Sequence, residues 1–156
     1  MKRSISFSIA LALTLLLALV SISVWAAPVR QGTVPIPPDE ADLLPDEPVT
    51  LGTVEITCTC SGTATRITDP ETDIGPAPEG LSFLSDAVTV ELHEVCNITV
   101  CYPYPAEVED QNGEIYKWDE DTELWAAVEG IISGDPPKIC YTDEDVIGGS
   151  YSLIGG

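Results

Sequence analysis

Apolar and polar residues alternate in short runs along most of this chain. In the stretch from Asn97 to Tyr104, Ile98, Val100, Tyr102 and Tyr104 fall on one side, and Thr99, Cys101 and Pro103 on the other. That is the period-two signature of a half-buried strand. Val54 to Cys60 repeats it, with Val54, Ile56, Cys58 and Cys60 on one face and Glu55, Thr57 and Thr59 on the other. Ala87 to His93 repeats it again, with Val88, Val90 and Leu92 inward and Thr89, Glu91 and His93 outward. Lys138 to Thr142 sets Cys140 between two apolar neighbours.

The intervals between these runs predict how they connect. A tight turn is expected between the strands at Ala87–His93 and Cys96–Tyr104. Residues 69–78 read as a loop from their Pro, Gly and Asp content, and Asp110-Gln111-Asn112-Gly113 is a turn signal. Glu114–Trp118 and Glu123–Val128 pair as a hairpin around Asp119-Glu120-Asp121-Thr122. Gly148-Gly149 predicts a turn into a last short strand, Ser150–Ile154. Thr63–Thr68 adds another short strand. No long helical periodicity follows the N-terminal apolar run. About eight short strands, each with one apolar face, predict an all-β fold, an antiparallel β-sandwich of the Ig-like kind.

The N-terminus carries a different pattern. Lys2 and Arg3 precede an apolar run from Ile5 to Val24, and Ala26 and Ala27 follow. This is the layout of a secretory signal peptide, residues 1–26, with the uncleaved membrane anchor as the alternative. No second apolar run follows, so no membrane span is expected once the signal is cut. Residues 27–48 hold Pro28, Pro35, Pro37, Pro38, Pro45 and Pro48 among five acidic residues. They read as an extended linker without packed structure. Residues 49–156 then form the β-sandwich domain, a common size for one domain.

Charge narrows the partners. Without Lys2 and Arg3 the exported chain keeps four basic residues against 26 acidic ones, a net charge of −22. Such a surface repels nucleic acid and anionic lipid. It attracts divalent cations and basic proteins.

All five cysteines lie beyond the signal, and exported cysteines are usually paired. Cys101 and Cys140 both sit opposite the apolar residues of their strands, which predicts a cross-strand disulfide. Cys96 shares the apolar face of Ile98 and Val100, so it is expected to pair with Cys58 or Cys60. One of that pair is left over, free or bonded to another chain.

Three candidate ligand sites follow. Asp110, Asn112 and Glu114 alternate like the opening of a Ca²⁺ loop, with Asp119 and Asp121 nearby; no other cofactor is called for. The glycine falls too early for an EF-hand, and a solvated acidic turn explains the stretch as well. Trp118 and Trp125, with Tyr102 and Tyr104, suit an aromatic platform for glycan or protein, or a cross-strand pair that stiffens the hairpin. His93 is the single histidine, so a hydrolytic triad would have to use it. No nucleophile elbow, phosphate loop or cofactor motif accompanies it.

The second half resembles a β-sandwich domain found, often C-terminally, in secreted and cell-surface proteins of environmental bacteria. The resembling residues are Ile98-Thr99-Val100-Cys101 with Tyr102 and Pro103, Ile115-Tyr116-Lys117-Trp118-Asp119 with Trp125, Ile139-Cys140, and Ser150–Ile154. They span about Leu81 to Ile154. The resemblance implies a bacterial extracellular or cell-surface module and no catalytic residues. The leading expectation is therefore a secreted, disulfide-bonded structural or adhesive module that self-associates or binds another surface protein. The alternatives are a small carbohydrate- or Ca²⁺-dependent binding module and, least favoured, a hydrolase.

Overall fold

The computed structural model describes residues 39–156. The expected signal at 1–26 and residues 27–38 of the expected linker lie outside the described residues. Among the described residues no helix is long and apolar enough to cross a membrane.

The fold is all-β and antiparallel. Among the described residues ten strands form: β1 (Glu40–Leu43), β2 (Val49–Leu51), β3 (Val54–Cys58), β4 (Gly62–Ile67), β5 (Ser82–Phe83), β6 (Ala87–Pro103), β7 (Glu114–Asp119), β8 (Leu124–Ala127), β9 (Ile131–Ser133) and β10 (Lys138–Gly155). Two single-turn helices, α1 (Pro70–Asp73) and α2 (Ala106–Glu109), interrupt them.

Two long strands organise the rest. β6 and β10 pair along most of their length and bend together, with register shifts on either side of Val146. The first half of β6 and the second half of β10 lie in a sheet ordered β1-β4-β6-β10-β7-β8. The second half of β6 takes β3, which pairs with β2, and the first half of β10 takes β9. Side chains from both halves meet in one core. Leu43, Ala64, Val88, Val90, Ile115, Tyr151 and Leu153 come from one, and Leu51, Val54, Ile56, Ile98, Val100, Tyr102 and Ile139 from the other. Tyr102 Oη donates to the carbonyl of Tyr151 at 2.8 Å and ties the halves across that core. The architecture is therefore sandwich-like, as the alternation predicts.

Two expected turns are absent. His93-Glu94-Val95 holds no Gly, Pro or Asn, and β6 runs through it as a bend with its side chains exposed. Gly148-Gly149 likewise bends β10 without reversing it. Gly148 has φ +144 and lies against the Val90 carbonyl, where a Cβ has no room. Each expected pair of short strands is thus one long strand.

The expected linker also fails at its C-terminal end. Glu40–Leu43 pairs with β4 in register, and Leu43 is buried in the core. Ala41 and Leu43 do alternate, but the surrounding prolines and acids hide so short a run. Leu43→Ala is expected to lower stability by about 2–3 kcal/mol in chemical denaturation, the cost of a core cavity. A true linker position would lose nothing measurable.

Candidate functional site

The cysteine bonds fix the frame. Cys101 and Cys140 are direct register partners on β6 and β10 and form a disulfide with a Cα separation of 4.1 Å. Beside it, Lys138 Nζ meets Glu55 Oε2 at 2.9 Å, and Thr99 and Thr142 share a hydroxyl hydrogen bond. Cys96 pairs with Cys60, not Cys58. Cys58 is the free thiol and it is buried. Its sulfur donates to the Cys60 carbonyl, and burial pushes its pKa up. A buried protonated thiol is a poor nucleophile, so the spare cysteine is not placed to cross-link two chains.

The five Ca²⁺ candidates are not brought together. Asp110 caps the end of α2, Asn112 takes a left-handed turn conformation, and Glu114 opens β7. Asp119 closes β7, roughly 17 Å further on at strand rise. Its Oδ1 accepts from the Asp121 and Thr122 amides, so it shapes the β7–β8 turn. All five are exposed. Among the described residues no three acidic, His or Cys side chains are grouped to hold a metal ion.

Trp118 and Trp125 face each other across β7 and β8, with ring centroids 5.4 Å apart and edge-to-face. Trp118 is half-buried and lines the groove described below, but Trp125 is covered, so the two rings do not present one exposed face. The segment after β4 folds over them and makes a second small core with Ala87, Ile154, Ile74, Leu81 and Phe83. Trp125 is buried, and its Nε1 donates to the Gly75 carbonyl at 3.0 Å. Gly75 lies so close to the Trp118 ring that a Cβ there would clash. Residues 69–78, read as a plain loop, are thus the lid of this core. Tyr102 is fully buried and Tyr104 partly so, which removes them from any platform as well.

His93 is exposed, and its Nδ1 lies 3.3 Å from Ser61 Oγ. No carboxylate is hydrogen-bonded to the ring among the described residues, and the pair lines none of the described grooves.

One polar cluster was not anticipated. β10 alternates inward at Ile139, Tyr141 and Asp143, and Asp143 is 8% exposed opposite Ile98. Its Oδ2 accepts from Tyr151 Oη at 2.7 Å, and its Oδ1 from Tyr141 Oη at 3.4 Å. Lys117 alternates inward with Ile115 on β7, pairs with Tyr151 in register, and sets Nζ 2.5 Å from Asp143 Oδ2. Burial and then Asp143 push the Tyr151 phenol far above its ordinary value of 10.0, so its hydroxyl stays a donor. Above Lys117 a groove of about 550 Å³ is lined by Thr89, Glu91, Asp119, Val128, Ile147 and Gly149, among others. The signal was present in the alternation of Ile115 with Lys117 and of Tyr141 with Asp143. It was missed because the C-terminal strand was expected to stop at Thr142.

Compared with family models, curated proteins and solved structures, the chain matches none.

Proposed function

We propose that this chain is an exported, disulfide-bonded structural or adhesive module of the cell exterior that self-associates through a sheet edge. The observation that carries the reading is β9. Among the described residues it pairs with β10 alone, and it exposes Ile131 at 71% and Ile132 at 53%. An apolar strand with an open row of backbone donors and acceptors accepts an added strand.

The proposed occupant is the segment 27–38 of a second copy. It carries Arg30 and no Asp or Glu, in a chain that is otherwise strongly acidic. β9 is flanked by Glu129 and Asp135, so the charges are complementary. Val34 and Ile36 alternate with Pro35 and Pro37. In an added strand, Val34 and Ile36 would bond to the host while the prolines face outward. The new edge would then carry no donors at those positions, and addition would stop. The two disulfides support an oxidising location.

Sedimentation of the exported chain tests this reading. Ile131→Lys with Ile132→Lys, both on the surface, is expected to leave the fold intact and convert oligomers to monomers. Oligomers unchanged by the double substitution would contradict the use of β9.

A further inference from the structure

We propose that the groove between β7 and β10 is a binding site for a neutral saccharide, with the Trp118 indole as its apolar wall.

The groove exists because two neighbouring strands part. Tyr151 opposite Lys117 is the last register pair of β10 with β7 on that side. Beyond it, Ser150 and Gly149 pair with Thr89 and Val90 of β6, while Trp118 and Asp119 pair with Trp125 and Leu124 of β8. Lys117 and Trp118 are consecutive in β7 and point to opposite faces of the sheet, yet both line the groove. It therefore opens between the strands instead of lying on one face. Its volume of about 550 Å³ falls in the range of small-ligand sites. Gly149 keeps the β10 wall bare. A Cβ there would lie 2.8 Å from Tyr151 Oη and 3.3 Å from Lys117 Cε.

The lining suits a polyol. A sugar hydroxyl both donates and accepts hydrogen bonds, so its site has to offer both kinds of group. Lys117 supplies donors: its ammonium has three, Asp143 takes one, and the side chain is 31% exposed. Glu91 is an exposed acceptor, and Asp119, whose Oδ1 serves the turn, offers Oδ2. Thr89 and Ser150 share a hydroxyl hydrogen bond at 2.9 Å and can serve either way. Trp118 adds an apolar surface for the C–H groups of a sugar ring. The indole is held in place, edge-to-face with Trp125 and with the far edge of its six-membered ring against Gly75.

Charge excludes the ionic alternatives. An anion would meet Glu91 and Asp119, with the Lys117 charge already balanced by Asp143. A cation would use the acceptors alone and face the ammonium. The groove shares no residue with β9, so the site is independent of the proposed sheet-edge association.

NMR titration of the ¹⁵N-labelled chain from residue 27 tests the site. Of the three tryptophans Trp25 precedes that residue, which leaves the indole N–H signals of Trp118 and Trp125. The probes are maltose, cellobiose, lactose, mannobiose and N,N′-diacetylchitobiose, with trilysine and digalacturonate as charged controls. At least one neutral disaccharide is expected to move the Trp118 signal. It is expected to move that of Trp125, whose Nε1 is bonded to the Gly75 carbonyl, much less. Trp118→Leu, followed at the Lys117 and Asp119 amides, is expected to weaken binding roughly tenfold, the worth of one aromatic contact. Ala126→Phe leaves Trp118 and its packing in place, puts a ring into the groove from an exposed position, and is expected to abolish the shifts. No shift with any neutral disaccharide overturns the proposal. Shifts that survive Ala126→Phe, or that are larger with trilysine or digalacturonate, overturn it equally.

Discussion

Removing the Cys101–Cys140 bond, as Cys101→Ala with Cys140→Ala, is expected to lower stability by roughly 4 kcal/mol. The figure follows from the sequence separation of 39 between the cysteines, because a cross-link restricts the unfolded chain more as the closed loop grows. Cys60–Cys96 has a separation of 36 and is expected to contribute almost as much. The two loops are consecutive and do not overlap, spanning residues 60–96 and 101–140, so each bond restricts its own stretch of the unfolded chain. Loss of both is expected to leave a domain of this size largely unfolded. Guanidinium unfolding of the three variants, read by Trp fluorescence, checks this. Trp125 is buried, so exposure on unfolding gives a clear signal. Cys58→Ala provides the contrast. That thiol is unpaired, so the change costs only a small cavity and one weak hydrogen bond, at about 1 kcal/mol.

Above pH 10 the fold is expected to lose stability steeply. Burial lifts the phenols of Tyr102 and Tyr151 far above the ordinary 10.0. In the unfolded chain both ionise near that value. Their contribution is therefore complete below pH 10 and is lost as the pH climbs toward the folded values, because only the unfolded state releases the protons. Each phenol contributes a slope of about 1.4 kcal/mol per pH unit, so the pair gives roughly 2.7. Denaturant midpoints measured at several pH values from 9 to 12 would show the slope. Tyr102→Phe is expected to halve it, at a fixed cost of about 1–3 kcal/mol for the lost donor to the Tyr151 carbonyl. A stability flat across this range would mean that both hydroxyls are reached by water in the folded chain.

The sheet was legible where alternation was long. Val54–Cys58, Ala87–Val90, Ile98–Tyr102 and the Trp118–Trp125 hairpin all lie where the pattern puts them. The continuity of β6 and β10 was not legible, because a bend and a reversal break the alternation in the same way. A pair of glycines signals either. Which occurs depends on whether a partner strand bends alongside, and here β6 and β10 bend together. β1, β2, β5 and β9 have at most four residues each, too short for periodicity to rise above composition.

The candidate sites were legible in part. The pairing of Cys101 with Cys140 followed from strand faces alone. The choice of Cys60 over Cys58 did not, because both occupy one face in the pattern. The structure separates them by the end of β3: Cys58 is its last residue and stays in the core, while Cys60 lies in the turn beyond. Trp118 and Trp125 were recognisable as a cross-strand pair. Their cover was not, since the packing of residues 69–84 on a sheet face depends on contacts distant in sequence. Lys117 and Asp143 were each visible as a charge in an apolar register. Their meeting depends on the bend that folds one half of β10 over the other.

The proposed self-association is tested most directly by native mass spectrometry of the chain from residue 27 over a range of concentrations, beside a chain lacking residues 27–38. The account predicts oligomers that grow with concentration in the first and a monomer in the second, with Cys58 still a free thiol in both. A monomer in both chains at every concentration, or oligomers that persist without residues 27–38, would contradict it.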